Sequence, residues 1–144
     1  MSPLRQRSTL LRPDGLTRRP VEPQAPLAPD AAPIDRAHLG RYTLGSLTLE
    51  REVLGLFLAQ LPLSIEQLRF ATTDREWHVA AHTIKGSARA VGAWQVAHLA
   101  LEAEKTSGVD DEEERERLLR ALEEACEAVE SYVEDAFPPE PARA

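Results

Sequence analysis

The chain has 144 residues, of which 28% are charged and 42% apolar, and its formal net charge is −7. This length leaves room for one domain, and the acidic balance argues against a general nucleic-acid-binding protein, which needs a basic surface to contact phosphates. Cys126 is the only cysteine, which excludes an internal disulfide and a cysteine-ligated zinc site. No stretch is long and apolar enough for a membrane span or a secretory signal, so we expect a cytoplasmic protein that does not bind membranes.

The first 33 residues differ in composition from the rest. They contain seven of the eleven prolines and five arginines against three acidic residues, so the remainder of the chain is more acidic than the whole. Prolines at this density prevent a helix, and no apolar period runs through the segment. The sequence predicts a disordered tail over 1–33. A solvated extension is the favoured interpretation of this tail, ahead of an arm that docks a partner. It also predicts a domain over 34–137 and a disordered end over 138–144.

Helical periodicity begins directly after the tail. A short helix is predicted over 34–42 and a long one over 48–70, in which Pro62 should cause a kink or the loss of a hydrogen bond. Apolar residues recur in the long helix at steps of three and four, as expected for one buried face. These are Leu54, Phe57, Leu61, Ile65 and Leu68.

Three further helices complete the pattern. Thr73 and Glu76 form a capping box for a helix that ends at Gly92, and its buried positions are Trp77, Ala81, Ile84, Ala88 and Val91. A helix over 93–106 follows. A last helix runs to 137, capped by Asp110 with Glu113, and its buried positions are Leu118, Leu122, Ala125, Val129, Tyr132 and Val133. The predicted fold is all-α: an antiparallel up-down four-helix bundle with a short extra N-terminal helix and a disordered Pro-rich tail.

One face of the third helix carries an unusual set of side chains. His78, His82, Lys85 and Arg89 are spaced three or four residues apart, so they are neighbours on the helix surface, beside the bare Gly86. A helical glycine costs about 1 kcal/mol relative to alanine. That cost is understandable if another protein must approach the imidazole closely. Lys85 and Arg89 would stabilise a phosphoryl group added to the imidazole.

Other interpretations of this face were weighed. A lone histidine at the edge of a core is more often structural than functional. The spacing of His78 and His82 also suits a metal pair, but Lys85 and Arg89 would repel a cation and no third ligand is evident on the helix. We therefore expect no metal site.

The stretch His82-Thr-Ile-Lys85-Gly86-Ser87-Ala88, followed by Gly92-Ala93, resembles the signature of histidine-containing phosphotransfer (HPt) domains. The resemblance covers about residues 34–137. It implies a phosphorelay protein whose His82 accepts a phosphoryl group from the aspartyl-phosphate of a response-regulator receiver domain and passes it to another receiver. A hybrid histidine kinase is a further candidate partner, and a monomer is expected.

The resemblance also implies roles for individual residues. Glu104, on the following helix, would hydrogen-bond His82 and fix its tautomer, while Lys85 would neutralise the phosphoryl oxygens. His78, Gly86 and Arg89 would contact the receiver. The domain would need no cofactor of its own, because Mg²⁺ is expected on the partner receiver domain.

Two other function classes remain for comparison. A non-catalytic helical-bundle adaptor could bind receiver or kinase domains without phosphotransfer, although a retired site would not need the set His82, Lys85 and Gly86. The phosphoacceptor module of a histidine kinase would require a nucleotide-binding domain, for which these 144 residues offer neither room nor a glycine-rich phosphate loop. A histidine phosphotransfer protein that is not itself a kinase fits best.

Overall fold

The computed structural model describes residues 31–106 and 109–138. All regular structure in those residues is helical, which confirms the predicted all-α class. The helices are α1 (Arg36–Thr43), α2 (Leu47–Arg69), α3 (Asp74–Val91), α4 (Trp94–Glu104) and α5 (Glu112–Ala136). The predicted tail lies outside the described residues except for 31–33, and the predicted C-terminal end except for Pro138. Among the described helices, none combines the length and apolarity that a membrane crossing requires.

Side-chain caps set where most of the helices begin. Thr73 accepts from the Glu76 N–H and starts α3, as predicted. The prediction for the last helix was wrong by one residue: Asp111, not Asp110, is the cap, and its Oδ1 accepts from the Glu114 N–H at 3.0 Å. This register puts three glutamates in the first turn of α5, where carboxylates interact favourably with the helix dipole.

The core is built from the apolar stripes of all five helices. The positions predicted to be buried in α2 and α3 are all buried, and α2 continues through Pro62, whose ring is exposed. In α5, Tyr132 and Val133 are only half-buried, because they lie near the end of the helix. Helix α3 packs against α2 and α4, and α5 packs against the same two helices, which makes a helical bundle. The antiparallel up-down order stays a prediction.

The turn between α3 and α4 is fixed by α1. Gly92 ends α3 with a φ of +79°, and a Cβ atom there would lie 3.0 Å from the carbonyl oxygen of Asp35. The Asp35 N–H donates to the Gly92 carbonyl at 2.9 Å, and the Trp94 indole N–H donates to the Asp35 carboxylate at 2.9 Å. Asp35, the residue that caps the short helix, therefore fixes the turn from which α4 begins.

Candidate functional site

The His82 imidazole lies at the surface of α3 and is held from one side. Its side chain is 67% exposed, and its Nδ1 lies 2.7 Å from Oε2 of Glu104. An ionised carboxylate can only accept hydrogen bonds, so Nδ1 must carry the proton of this contact. The lone pair of the neutral ring is then on Nε2, the nitrogen that does not face the carboxylate.

Glu104 is the anchor of the site. Its side chain is only 8% exposed, and Oε1 accepts from the Lys85 ammonium at 2.5 Å while Oε2 faces His82. Burial by itself would raise the pKa of the Glu104 carboxyl, but the hydrogen bonds from Lys85 and His82 outweigh burial and hold the pKa below its ordinary value. The carboxylate is therefore ionised and orients the imidazole at neutral pH.

The register between α3 and α4 brings this carboxylate to His82. The indole N–H of Trp77, one of the most deeply buried side chains, donates to the carbonyl of Ala103 at 2.7 Å. Trp77 precedes His82 by little more than one turn on α3, and Ala103 directly precedes Glu104 on α4. A buried hydrogen bond that would be costly to leave unmade thus fixes the spacing of His82 and Glu104.

The remaining predicted site residues are placed as follows. His78 lies one turn before His82 with its ring nearly parallel, at 6.4 Å between ring centroids, and its Nε2 is 4.0 Å from Oε2 of Glu104. Gly86 is exposed, and a Cβ atom there would meet nothing within 4 Å outside its own helix backbone. Arg89 is exposed further along α3. His78, Lys85 and Glu104 thus gather around His82, while Gly86 leaves open space beside them.

Lys85 lies at the Glu104 carboxylate. Its ammonium is bound to Oε1 and its side chain is 14% exposed, while its expected contact with phosphoryl oxygens stays a prediction. Within 31–106 and 109–138, no group of three or more His, Cys, Asp or Glu residues is arranged to hold a metal ion. An ammonium that already pairs with the carboxylate also opposes cation binding at this point.

Sequence reasoning missed an exposed apolar face beside the site. Along α2 and its C-terminal cap, large exposed apolar side chains recur at every seventh residue: Leu49, Leu56, Leu63 and Phe70. On α3, Val79 is also exposed, and a groove between the two helices is lined by Leu56, Gln60, Ser87 and Ala90. This row of residues lies on the opposite side of α2 from the buried stripe, and its seven-residue spacing can be read from the sequence. Exposed patches of this kind usually mark a protein interaction surface.

Comparison with known proteins identifies the family of the chain. The family model described as Hpt domain matches residues 52–132, more than half of the chain. The chain belongs to the Hpt domain family. No curated protein and no solved structure matches it. The matched span includes His82 and Glu104, so this Hpt domain has the coarse role of its family, a phosphotransfer relay in two-component signalling. The resemblance noted at residues 82–93 is confirmed.

Proposed function

We propose that this Hpt domain is a phosphorelay intermediate that carries the phosphoryl group on Nε2 of His82. The observation that supports this most directly is the contact of 2.7 Å between His82 Nδ1 and Glu104, combined with the exposure of the ring. A buried carboxylate that fixes the tautomer of an exposed imidazole serves little purpose in packing. It is the arrangement expected of a histidine prepared as a nucleophile.

The transfer step follows from this geometry. The Nε2 lone pair forms the N–P bond while the P–O bond to the receiver's aspartate breaks, and that aspartate leaves as a carboxylate. The ring becomes cationic during attack, and Glu104 stabilises that charge through the Nδ1 proton. The second transfer is the same step in reverse, onto the aspartate of another receiver. The receiver domain would supply Mg²⁺, and this chain would need no cofactor of its own.

Lys85 acts through Glu104 in this proposal. By occupying Oε1, it keeps the carboxylate ionised and turns Oε2 towards His82. The same proposal includes the arrangement of the helices. Helices α2 to α5 form an antiparallel up-down bundle in which α1 fixes the α3–α4 turn. The protein is a monomer and is located in the cytoplasm.

The receiver would dock over the apolar face of α2 and α3. That face reaches His82 across Gly86, where the missing side chain permits close approach. Arg89 supplies a positive charge on the face of α3 that carries His78 and His82, which suits a receiver pocket that contains several carboxylates. An apolar centre with a charged rim is the usual composition of a specific interface.

Label transfer from a phosphorylated receiver tests the proposal. The wild-type protein should gain acid-labile, base-stable label, and His82→Gln should gain none. Gly86→Leu and Leu56→Glu should slow transfer at least tenfold through weaker docking, whereas Gln95→Glu, an exposed change on α4, should not. Receiver binding without any label would favour the adaptor instead, and label on His82→Gln would remove this residue from the mechanism.

A further inference from the structure

The arrangement of Lys85 leaves the phosphoryl group without its expected partner. The ammonium is bound to Oε1 of Glu104 and largely buried, whereas the phosphoryl group would lie on Nε2, the ring nitrogen that does not face this carboxylate. A phosphoryl group carries a charge near −2 and three strong acceptor oxygens. Another donor close to His82 is therefore needed.

His78 is the titratable side chain placed to supply that donor. Its side chain is 58% exposed, and its ring lies 6.4 Å from the ring of His82 with only 14° between their planes. A phosphoryl group on Nε2 would extend outward in the plane of the His82 ring, and rotation of the exposed His78 side chain can bring a ring N–H within the distance of about 2.8 Å of a charge-assisted hydrogen bond. Because the two residues are one helical turn apart, the helix itself maintains their spacing.

Charged and titratable groups from several elements lie around His78. From α4, Oε2 of Glu104 is 4.0 Å from Nε2 of His78, and the same carboxylate binds the Lys85 ammonium. From its own helix, Asp74, Arg75, Glu76 and His82 lie on neighbouring turns. The end of α2 meets this part of α3 through the uncharged Gln67 and Phe70, and from α5 the Arg115 guanidinium lies 5.6 Å from the centre of the adjacent Trp77 ring. Helix α1 meets α3 at Gly92, away from His78. A new phosphoryl dianion would add the largest negative charge in this set.

We propose that His78, as an imidazolium, binds the phosphoryl oxygens of phosphorylated His82, while Lys85 holds Glu104. This inference rests on the proposed phosphorylation of His82 and assigns His78 to the phosphoryl group rather than to the receiver surface alone. A nearby dianion favours the charged form of an imidazole. Phosphorylation of His82 is then coupled to proton uptake by His78.

The first test follows the His78 ring itself. The full chain is phosphorylated with phosphoramidate, so no receiver is needed: Nε2 of His82 forms the N–P bond as the P–N bond of the donor breaks and ammonia leaves. The titration of each histidine ring is followed by NMR before and after labelling. We expect the midpoint of His78 to rise by about one pH unit on phosphorylation, and that of His98 on α4 to stay unchanged. Equal midpoints of His78 in both forms would overturn the inference.

The second test uses matched variants. His78→Gln should lower both the rate of labelling by phosphoramidate and the lifetime of the phosphohistidine by about tenfold, as expected for the loss of one charged contact. His78→Lys should restore both without the pH dependence, and His98→Gln should behave as wild type. If His78→Gln matches wild type, or if His78→Lys fails to restore the rate, His78 does not bind the phosphoryl group. Absence of label on His82 in the wild-type protein would instead contradict the proposed function.

Discussion

Two nearly buried glutamates of the described residues accept hydrogen bonds from cations, and one of the two belongs to the candidate site. Glu50 on α2 accepts from Arg36 at 2.8 Å and from the hydroxyl of Thr43 at 3.1 Å, and its side chain is 5% exposed. Glu104 on α4 is buried to a similar degree and accepts from Lys85 and His82. The two carboxylates are alike in burial and in the number of groups they bind.

The difference lies in the surroundings of their partners. The partners of Glu50 are packed against other residues, because Thr43 is buried and the Arg36 guanidinium lies 4.6 Å from the centre of the Phe137 ring. One partner of Glu104, the His82 imidazole, lies at the surface, and its Nε2 does not face the carboxylate. A buried carboxylate therefore indicates function when it orients an exposed reactive group, and stability when its partners are themselves packed.

The largest expected effect is on stability at Glu50. Glu50→Ala leaves Arg36 and Thr43 without their acceptor and should lower the free energy of unfolding by about 2 to 3 kcal/mol, below the range for fully buried pairs because Arg36 is partly exposed. Urea denaturation measures this change. The folded fraction should still accept label on His82 at the wild-type rate.

Glu104→Gln is the matched substitution at the site. It should cost less stability, because the amide still accepts from one neighbour, but it should lower the rate of labelling by phosphoramidate about tenfold through the lost orientation of His82. If Glu50→Ala slowed labelling of the folded protein as much as Glu104→Gln, the distinction between the two carboxylates would fail.

Two glycines extend the comparison with a smaller effect. Gly92→Ala places a Cβ atom 3.0 Å from Asp35 at a φ of +79°, and should lower the free energy of unfolding by about 1 to 2 kcal/mol. Gly86→Ala meets open space within a helix and should raise it by up to about 1 kcal/mol. Thermal and urea unfolding of both variants check the signs. Equal destabilisation by the two changes would show that Gly86 is a packing residue.

The smallest expected effect is the pH dependence at Glu104. Its folded-state pKa lies below the ordinary value, because Lys85 and His82 outweigh burial. Its stabilising contribution is therefore present above the unfolded-state pKa of about 4.3 and is lost as the pH falls through the lower folded value. The stability difference between wild type and Glu104→Gln should shrink as the pH falls below about 4.3. A difference that does not shrink there would contradict the assigned hydrogen bonds.

The sequence predicted the parts of the molecule that depend on local chemistry. The Thr73 cap, the Gly92 end of α3 and the stripe from Trp77 to Val91 all follow from spacing along one helix. The contact between Lys85 and Glu104 does not, because it depends on the register that Trp77 and Ala103 set between two helices. The start of α5 was missed by one residue because Asp110 and Asp111 are equivalent caps until the core fixes the register.

The central claim is that Glu104 selects the ring nitrogen of His82 that carries the phosphoryl group. The most direct test labels the ¹⁵N-histidine protein from a phosphorylated receiver and identifies the modified nitrogen by ³¹P and ¹⁵N NMR, with His82→Gln as the control. The account predicts a single phosphoryl group on Nε2 of His82, with the Nδ1 proton retained against Glu104. A phosphoryl group on Nδ1, or on any residue other than His82, would contradict it.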